Sequence, residues 1–183
     1  MTRVDRLLAA YSDYVRIPWA SHIAGPERTW FVVYEPHDER RLRRQMPEFE
    51  IATKEAGRGW LRHDLLRDFA DWLANEDYRE AYFEDPTTVE ATLEEDFLEF
   101  VADRVRQLAQ SSTADETTVI AVHGTASLFG LLRVSDLVSA VVSSIPGRLV
   151  VFFPGSHDNG VYRHLDASDG WNYLAVPITV KEG

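Results

Sequence analysis

The chain has 183 residues and carries 19 Lys and Arg against 30 Asp and Glu, so its formal net charge is −11. A hydrophobic fraction of 45% in a chain of this length supports a buried core, which excludes an intrinsically disordered protein. The acidic balance makes direct DNA binding an unfavourable interpretation, because phosphates require dense Lys and Arg. The absence of cysteine excludes disulfides, zinc ribbons, iron–sulfur clusters and thiol catalysis.

The first predicted elements are a helix, a strand and a second helix. Apolar residues recur every three or four positions over residues 2–16, which predicts an amphipathic helix. The β-branched and aromatic run over residues 29–34 predicts a buried strand, and Pro36 begins the next helix. A weaker strand is predicted over residues 49–53.

The middle of the chain holds almost all of the excess negative charge. Residues 51–116 contain seven basic and seventeen acidic side chains, which is a net charge of −10. Helical periodicity predicts helices over residues 60–73 and 86–110. We therefore expect residues 54–116 to form an acidic helical flank or subdomain within a single α/β domain that spans residues 1–183.

The last third of the chain is nearly neutral and rich in predicted strands. Apolar runs predict buried strands over residues 117–122 and 148–153. Between them, residues 127–143 are expected to form a helix with one interruption. A last strand over residues 172–176 is placed near a sheet edge, because Pro177 cannot donate a ladder hydrogen bond.

Strands separated by helices are typical of β–α crossovers and a parallel sheet. The expected fold is a three-layer α/β fold with a mainly parallel sheet of four to five strands and helices on both faces. This is a P-loop- or Rossmann-like topology without the nucleotide motif. The N-terminal segment does not resemble a signal peptide, and no apolar run approaches the ~20 residues of a membrane span, so we expect a cytoplasmic protein without membrane contact.

The familiar catalytic and cofactor motifs are incomplete in this sequence. Residues 155–160 have the glycine spacing of a phosphate-binding loop, but Val161 and Tyr162 stand where Lys and Ser or Thr are needed. No Gly-x-Gly-x-x-Gly follows a predicted strand, and no Gly-x-Ser-x-Gly or His-Glu-x-x-His occurs. A non-catalytic role without a cofactor is therefore favoured over an enzyme.

One group of polar residues nevertheless suggests an alternative site. His37, Asp38, His123, His157 and Asp158 each follow a predicted strand, and in a parallel sheet such positions share the carboxyl edge. Imidazoles and carboxylates there could hold a divalent metal or act as acid and base. The alternative function is an atypical metal- or nucleotide-binding enzyme. The more ordinary interpretation is that these residues belong to helix starts and turns.

Two short charged motifs have ordinary explanations. His63-Asp64 resembles the core of the HD phosphohydrolases, but the other ligands of such a site are missing, so His63 is expected on the surface of a helix. The arginines within residues 40–44 could contact phosphates or an acidic partner, although a solvated helix end is favoured. Direct DNA binding therefore stays an unfavoured alternative.

Two further segments are candidate partner-binding surfaces. Glu94, Glu95 and Glu99 lie on the acidic helix, which is either a solvated face or a docking face for a basic partner. A second set follows a predicted strand and could form a contact surface or simply a terminating turn. Its members are Phe153, Pro154 and Gly155.

Six segments of the chain carry a family resemblance. They are VIAVHG (119–124), SLFGLLR (127–133), LVVFFPG (149–155) and WNYLA (171–175), with weaker similarity in FVVYEP (31–36) and YREAYF (78–83). Together they resemble the BrxB family, a small component of the BREX bacteriophage-resistance systems. The resemblance is densest over residues 117–176.

The resemblance implies a non-catalytic adaptor in a phage-defence assembly. Its expected partners are other BREX proteins, foremost an alkaline-phosphatase-like protein called PglZ, and also a DNA methyltransferase and a large AAA+ ATPase. The family carries no catalytic motif that can be transferred to residues of this chain.

Overall fold

The computed structural model of the chain describes residues 1–167 and 170–180, apart from the side chain of Ala91. The helices are α1 (Arg3–Arg16), α2 (Glu39–Glu55), α3 (Asp68–Asn75), α4 (Arg79–Glu84), α5 (Thr87–Thr92), α6 (Leu98–Ala109) and α7 (Val134–Val141). The strands are β1 (Thr29–Tyr34), β2 (Gly59–Asp64), β3 (Thr118–His123), β4 (Arg148–Asp158), β5 (Val161–His164), β6 (Trp171–Asn172) and β7 (Val176–Ile178). Within this described part, every helix is too short or too polar to cross a bilayer.

The predicted α/β class is confirmed. The sheet is mixed, whereas we expected a mainly parallel one. Strands β2-β3-β4-β1-β7 lie side by side in this order and pair in parallel. Strand β4 does not end at Phe153 but continues to Asp158, where the chain reverses and β5 and then β6 pair antiparallel. The reversal occurs at Asn159 and Gly160, which both have the positive φ that tight hairpin turns require.

The sheet is buried on both faces, which explains the apolar runs of its central strands. Along β1, Phe31 and Val33 pack into a core with α3, α6 and α7, whereas Trp30, Val32 and Tyr34 pack into a core with α1 and α2. Strands β3 and β4 alternate between the same two cores. We call these two sides the α6–α7 face and the α1–α2 face.

The strand predicted over residues 49–53 is wrong, because this segment lies inside α2. Buried residues recur at helical spacing through the whole element, and this period outweighs the short β-like alternation. They are Leu42, Met46, Phe49, Ala52 and Thr53. Pro47 removes one backbone hydrogen bond from the helix without ending it.

The helix predicted over residues 60–73 is wrong in its first half. Residues Gly59–Asp64 form the edge strand β2, which pairs with β3 in the register Gly59↔Thr118 to Asp64↔His123. Only Asp68–Asn75 are α-helical. The segment 54–116 therefore contributes a strand to the sheet as well as the acidic helices α3 to α6.

Two further predictions hold only in part. The strand predicted over residues 172–176 is replaced by the short strands β6 and β7, which lie on either side of residues 173–175. Of the helix predicted over residues 127–143, only Val134–Val141 is α-helical.

The other predicted elements are confirmed. The helix over residues 86–110 consists of α5, a π-helical turn (Leu93–Phe97) and α6 in succession. The predicted strands at 29–34, 117–122 and 148–153 are β1, β3 and the first part of β4. Pro177 lies in β7, which is an edge strand, where a missing N–H donor is tolerated.

The β4–β5 hairpin yields the first prediction. A Cβ atom at position 155 would lie 2.0 Å from the carbonyl oxygen of Arg163, so Gly155→Ala should force the strands apart. We expect a loss of about 1–3 kcal/mol in the free energy of unfolding, measured by urea denaturation. The neighbouring Ser156 is exposed, and Ser156→Ala should stay within about 0.5 kcal/mol of the wild type. Equal losses in the two variants would contradict the hairpin packing.

Candidate functional site

An ion-pair network closes part of the carboxyl edge of the sheet. Arg43 of α2 reaches Asp64 at the end of β2 in a two-pronged contact, with Nη1–Oδ2 and Nη2–Oδ1 distances of 2.9 and 3.1 Å. Its Nε donates to Glu39 Oε1 at 2.9 Å, and the Tyr34 hydroxyl donates to the same Glu39 carboxylate. We call Tyr34, Glu39, Arg43 and Asp64 the Arg43 network.

The network and its burial shift the pKa values of Asp64 and Tyr34. Burial opposes the charged form of Asp64, but the hydrogen bonds from Arg43 outweigh it and hold the pKa of this carboxyl below its usual range. Burial and the contact with Glu39 both raise the pKa of Tyr34. The carboxyl edge of β1 and β2 is therefore occupied by a neutral phenol and by one guanidinium between two carboxylates, and an incoming ligand would have to break these contacts.

His123 lies beside the network at the end of β3. Its side chain is 6% exposed, and its Nδ1 is 3.8 Å from Asp64 Oδ1, which is too long for a hydrogen bond. Within the described residues, neither ring nitrogen has a hydrogen-bond partner. Burial lowers the pKa of His123 to about 4, although Asp64 opposes the shift, so the imidazole is neutral near pH 7.

The structure separates the residues of the alternative site. His37 is exposed at the start of a short 3₁₀ turn, and the buried Asp38 carboxylate lies 3.8 Å from its ring. His157 lies on the extension of β4, with its ring centroid 4.4 Å from that of Tyr162, and Asp158 is exposed beside the hairpin turn. The contacts of His123 are with Asp64, a residue outside the predicted set. In the part of the chain that the structure describes, no group of three or more His, Asp or Glu side chains could hold a metal ion.

The loop after β1 also differs from a phosphate cradle. It runs from Glu35 through Pro36 into the 3₁₀ turn and α2, and it contains no glycine. Asp38 and Glu39 lie at the helix start, which is where a phosphate would bind. Their carboxylates repel anions at this edge.

His63 is not on a helix surface as expected but on β2, where it is half-buried. Its Nε2 is 2.6 Å from Asp68 Oδ2, and Asp68 also accepts from Arg104 Nη1 at 2.8 Å. Arg104 Nη1 lies 2.9 Å from Asp71 as well. This buried network ties β2, α3 and α6 together, which is a structural role.

A cleft of about 700 Å³ lies between the start of α7 and the β4–β5 hairpin. This volume falls within the range of small-ligand and side-chain pockets. We call it the α7 cleft. Its lining consists of Phe129, Gly130, Leu132, Arg133, Val134, Ser135, Phe153, Tyr162, His164, Asp166, Ala167, Gly170, Trp171 and Asn172.

The α7 cleft combines apolar walls with a few polar groups. Phe129 is 46% exposed, whereas Phe153 and Tyr162 are fully buried and pack edge to face with ring centroids 5.9 Å apart. His164 packs between Phe129 and Phe153, with ring centroids 5.7 and 5.3 Å away. Burial lowers the pKa of His164 to about 4, so this ring is also neutral near pH 7. Arg133 supplies a positive charge to the cleft.

The predicted partner-binding residues occupy two separate places. Phe153 contributes to the α7 cleft, whereas Pro154 and Gly155 are buried inside the continuing strand and do not end it. Glu94, Glu95 and Glu99 are exposed on the acidic flank, and Glu99 accepts from Arg106 Nη1 at 2.7 Å.

No protein-family model, curated protein or solved structure matches this chain. The candidate site is therefore interpreted from its own geometry. Sequence reasoning missed Arg43 and Asp64 as partners, since their pairing follows from strand order. It also missed the cleft, although Phe129, Arg133 and Trp171 lie within the segments that carry the family resemblance.

His123 makes stability depend on pH. The folded state keeps this ring neutral down to a pKa of about 4, whereas an ordinary histidine in the unfolded chain binds a proton near 6.5. The unfolded state therefore binds more protons between these values, and stability falls as the pH falls through this window. His123→Gln should lose about 2 kcal/mol less than the wild type when the pH is lowered from about 7 to about 5.

Urea denaturation at both pH values measures this difference. His37→Gln serves as the control, because the His37 side chain is 76% exposed, and it should follow the wild type. An identical pH dependence in His123→Gln and the wild type would show that burial does not keep this ring neutral.

Proposed function

We propose that the chain is a non-catalytic adaptor of a BREX-type phage-defence assembly and that it contacts its partner through the α7 cleft. One observation carries this proposal. Three segments that resemble the BrxB family, at 127–133, 149–155 and 171–175, are far apart in sequence, yet all of them contribute side chains to this cleft. A surface assembled from the family-like segments is the natural place for the function of that family.

The chemistry of the cleft suits a protein segment. Its aromatic walls can receive an apolar side chain, and aromatic residues with Arg are the side chains that most often dominate binding energy at interfaces. Arg133 is exposed, and within the described residues it has no ion pair. Asp166 also lines the cleft, which disfavours a polyacidic segment. The proposed occupant is therefore a partner segment with an apolar anchor and a single carboxylate that pairs with Arg133.

The carboxyl edge supports a role without catalysis. We infer a P-loop- or Rossmann-like sheet that lacks the phosphate loop, on the basis of five parallel strands with helices on both faces. In such sheets ligands bind beyond the carboxyl ends of the strands. Here the Arg43 network and the acidic loop after β1 occupy part of that place. We therefore assign partner binding to the α7 cleft rather than to the carboxyl ends of β1 and β2.

The direct test is reconstitution with the proteins encoded beside this chain. We expect a complex with the PglZ-like protein that survives size-exclusion chromatography, and weaker or indirect association with the methyltransferase and the AAA+ ATPase. If none of these proteins co-elutes with the chain, the adaptor proposal is wrong.

Substitutions in the cleft should weaken this complex. Phe129→Ala removes the exposed aromatic ring, and Arg133→Glu reverses the charge that pairs with the partner. Each should raise the dissociation constant at least about tenfold in isothermal titration calorimetry, as expected for interface anchors. Phe83 is a matched control, because it is 70% exposed on α4 outside the cleft. An effect of Phe83→Ala as large as that of Phe129→Ala would place the interface elsewhere.

The acidic flank should raise the rate at which the chain associates with its partner. Reversing Glu94, Glu95 and Glu99 to Lys should slow binding of a basic partner surface about tenfold at low salt, with the effect lost at high salt. Stopped-flow mixing measures the rate.

A control triple variant separates this local effect from a change in net charge. It reverses exposed acids on other surfaces, namely Asp13, Glu48 and Glu116. Equal slowing by both triple variants would mean that net charge, and not the flank, steers the partner.

A further inference from the structure

Three arginines and a tryptophan gather at the amino edge of the sheet. Arg28 directly precedes β1, Arg58 directly precedes β2 and Arg148 is the first residue of β4. The guanidinium carbons of Arg58 and Arg148 lie 4.2 and 4.6 Å from the ring centroid of Trp19, in the loop after α1. We call these four residues the Trp19–arginine cluster. It lies at the end of the strands opposite to the Arg43 network.

The positive charges of the cluster are not neutralised within the described residues. None of the three arginines has a carboxylate oxygen within 4.0 Å among them. Arg148 is 5% exposed, and among the described residues it donates to the carbonyl oxygens of Gly147 and Ala20, at 3.3 and 3.2 Å. Burial, together with the charges of Arg28 and Arg58, lowers the pKa of Arg148. A chain with a net charge of −11 therefore concentrates three positive charges at one partly buried place.

An acidic residue at the same edge of the sheet is already engaged. Asp115 precedes β3 at the same edge, and its carboxylate accepts from the backbone and hydroxyl of Thr117 and from the hydroxyl of Thr118. These contacts fix the start of β3. They also direct the carboxylate to the threonines and leave the arginine charges unmatched.

Several hydrogen-bond donors in the cluster lack an acceptor. Within the described residues, the buried Nε1 of Trp19 and the buried Nε atoms of Arg28 and Arg58 have no hydrogen-bond partner. A buried donor without an acceptor costs about 1–3 kcal/mol. Three such donors in one cluster are better explained by one missing acceptor than by three independent defects.

We propose that the Trp19–arginine cluster binds a phosphate group. The donors come from four separate places in the chain, and a tetrahedral oxyanion accepts hydrogen bonds from several directions, whereas a carboxylate accepts them mainly in one plane. The charge of a phosphate also offsets more of the arginine charge than a carboxylate does. This site is independent of the α7 cleft, so the proposal goes beyond the adaptor function and does not rest on it.

The indole N–H of Trp19 provides a local readout of binding. Its resonance is assigned in a ¹⁵N–¹H spectrum by its loss in Trp19→Phe, and the full chain is titrated with inorganic phosphate at constant ionic strength. We expect a saturable downfield shift, because the N–H gains an acceptor. The dissociation constant should rise at least about tenfold in Arg58→Gln, which loses a charge-assisted hydrogen bond.

Further measurements provide a control and identify the chemical class of the ligand. Arg40→Gln removes the same charge at an exposed position outside the cluster, and it should bind phosphate as the wild type does. Tighter binding of adenosine monophosphate than of phosphate would identify a phosphate ester as the ligand, and the reverse order would identify free phosphate. Arg28→Gln replaces Arg58→Gln if circular dichroism shows that the latter misfolds.

Three results would overturn the proposal. They are the absence of a saturable Trp19 shift, equal affinity for acetate and phosphate, and unchanged phosphate affinity in the cluster variant.

Discussion

The parallel pairing of β1 with β4 is the constraint on which the rest of the structure depends. The pairing runs from Thr29↔Leu149 to Tyr34↔Pro154, and every residue in it is buried. Because both strands are apolar on both sides, helices must cover both faces of the sheet. The stacked rings of Phe31 and Phe153, 5.4 Å apart, show how closely the two strands are coupled on the α6–α7 face.

This pairing also determines where the two proposed binding surfaces lie. Strand β4 continues beyond the end of β1, and its extension folds back as the hairpin that forms one wall of the α7 cleft. The first residue of β4, Arg148, and the residue before β1, Arg28, are brought together at the other end. The two proposed binding surfaces are thus consequences of one strand register, at opposite edges of the same sheet. The Arg43 network occupies another part of the carboxyl edge, which is where open parallel sheets bind their ligands.

The elements that sequence reasoning found are those whose burial is local. Strands β1, β3 and β4 are continuous apolar runs, and the helix from α5 to α6 has a long apolar stripe. The segment 49–53 was misassigned because its helical period is set by residues before it, and the segment 60–64 because its state depends on a distant strand. Residues 49–53 follow the helical period set by Leu42 and Met46, and β2 is a strand because β3 accepts its edge. Neither condition can be seen in a short window.

The candidate sites were less accessible to sequence reasoning for the same reason. The Arg43–Asp64 pair joins α2 to β2, and the Trp19–arginine cluster joins four segments that only the strand order brings together. Sequence reasoning placed His123 at the carboxyl edge, but it did not place Asp64 beside it. The cleft residues Phe129, Arg133 and Trp171 were named only as parts of family-like segments. Their convergence on one cleft is what the structure adds.

The central claim is that the partner binds at the α7 cleft, and hydrogen exchange on the complex tests it most directly. The chain is compared free and bound to the PglZ-like protein, with mass spectrometry locating the protected amides. If the partner binds at the cleft, exchange should slow over residues 125–134 and 156–164 and stay unchanged in α1 and α2. Protection confined to the α1–α2 face or to the edge strand β2 would contradict it.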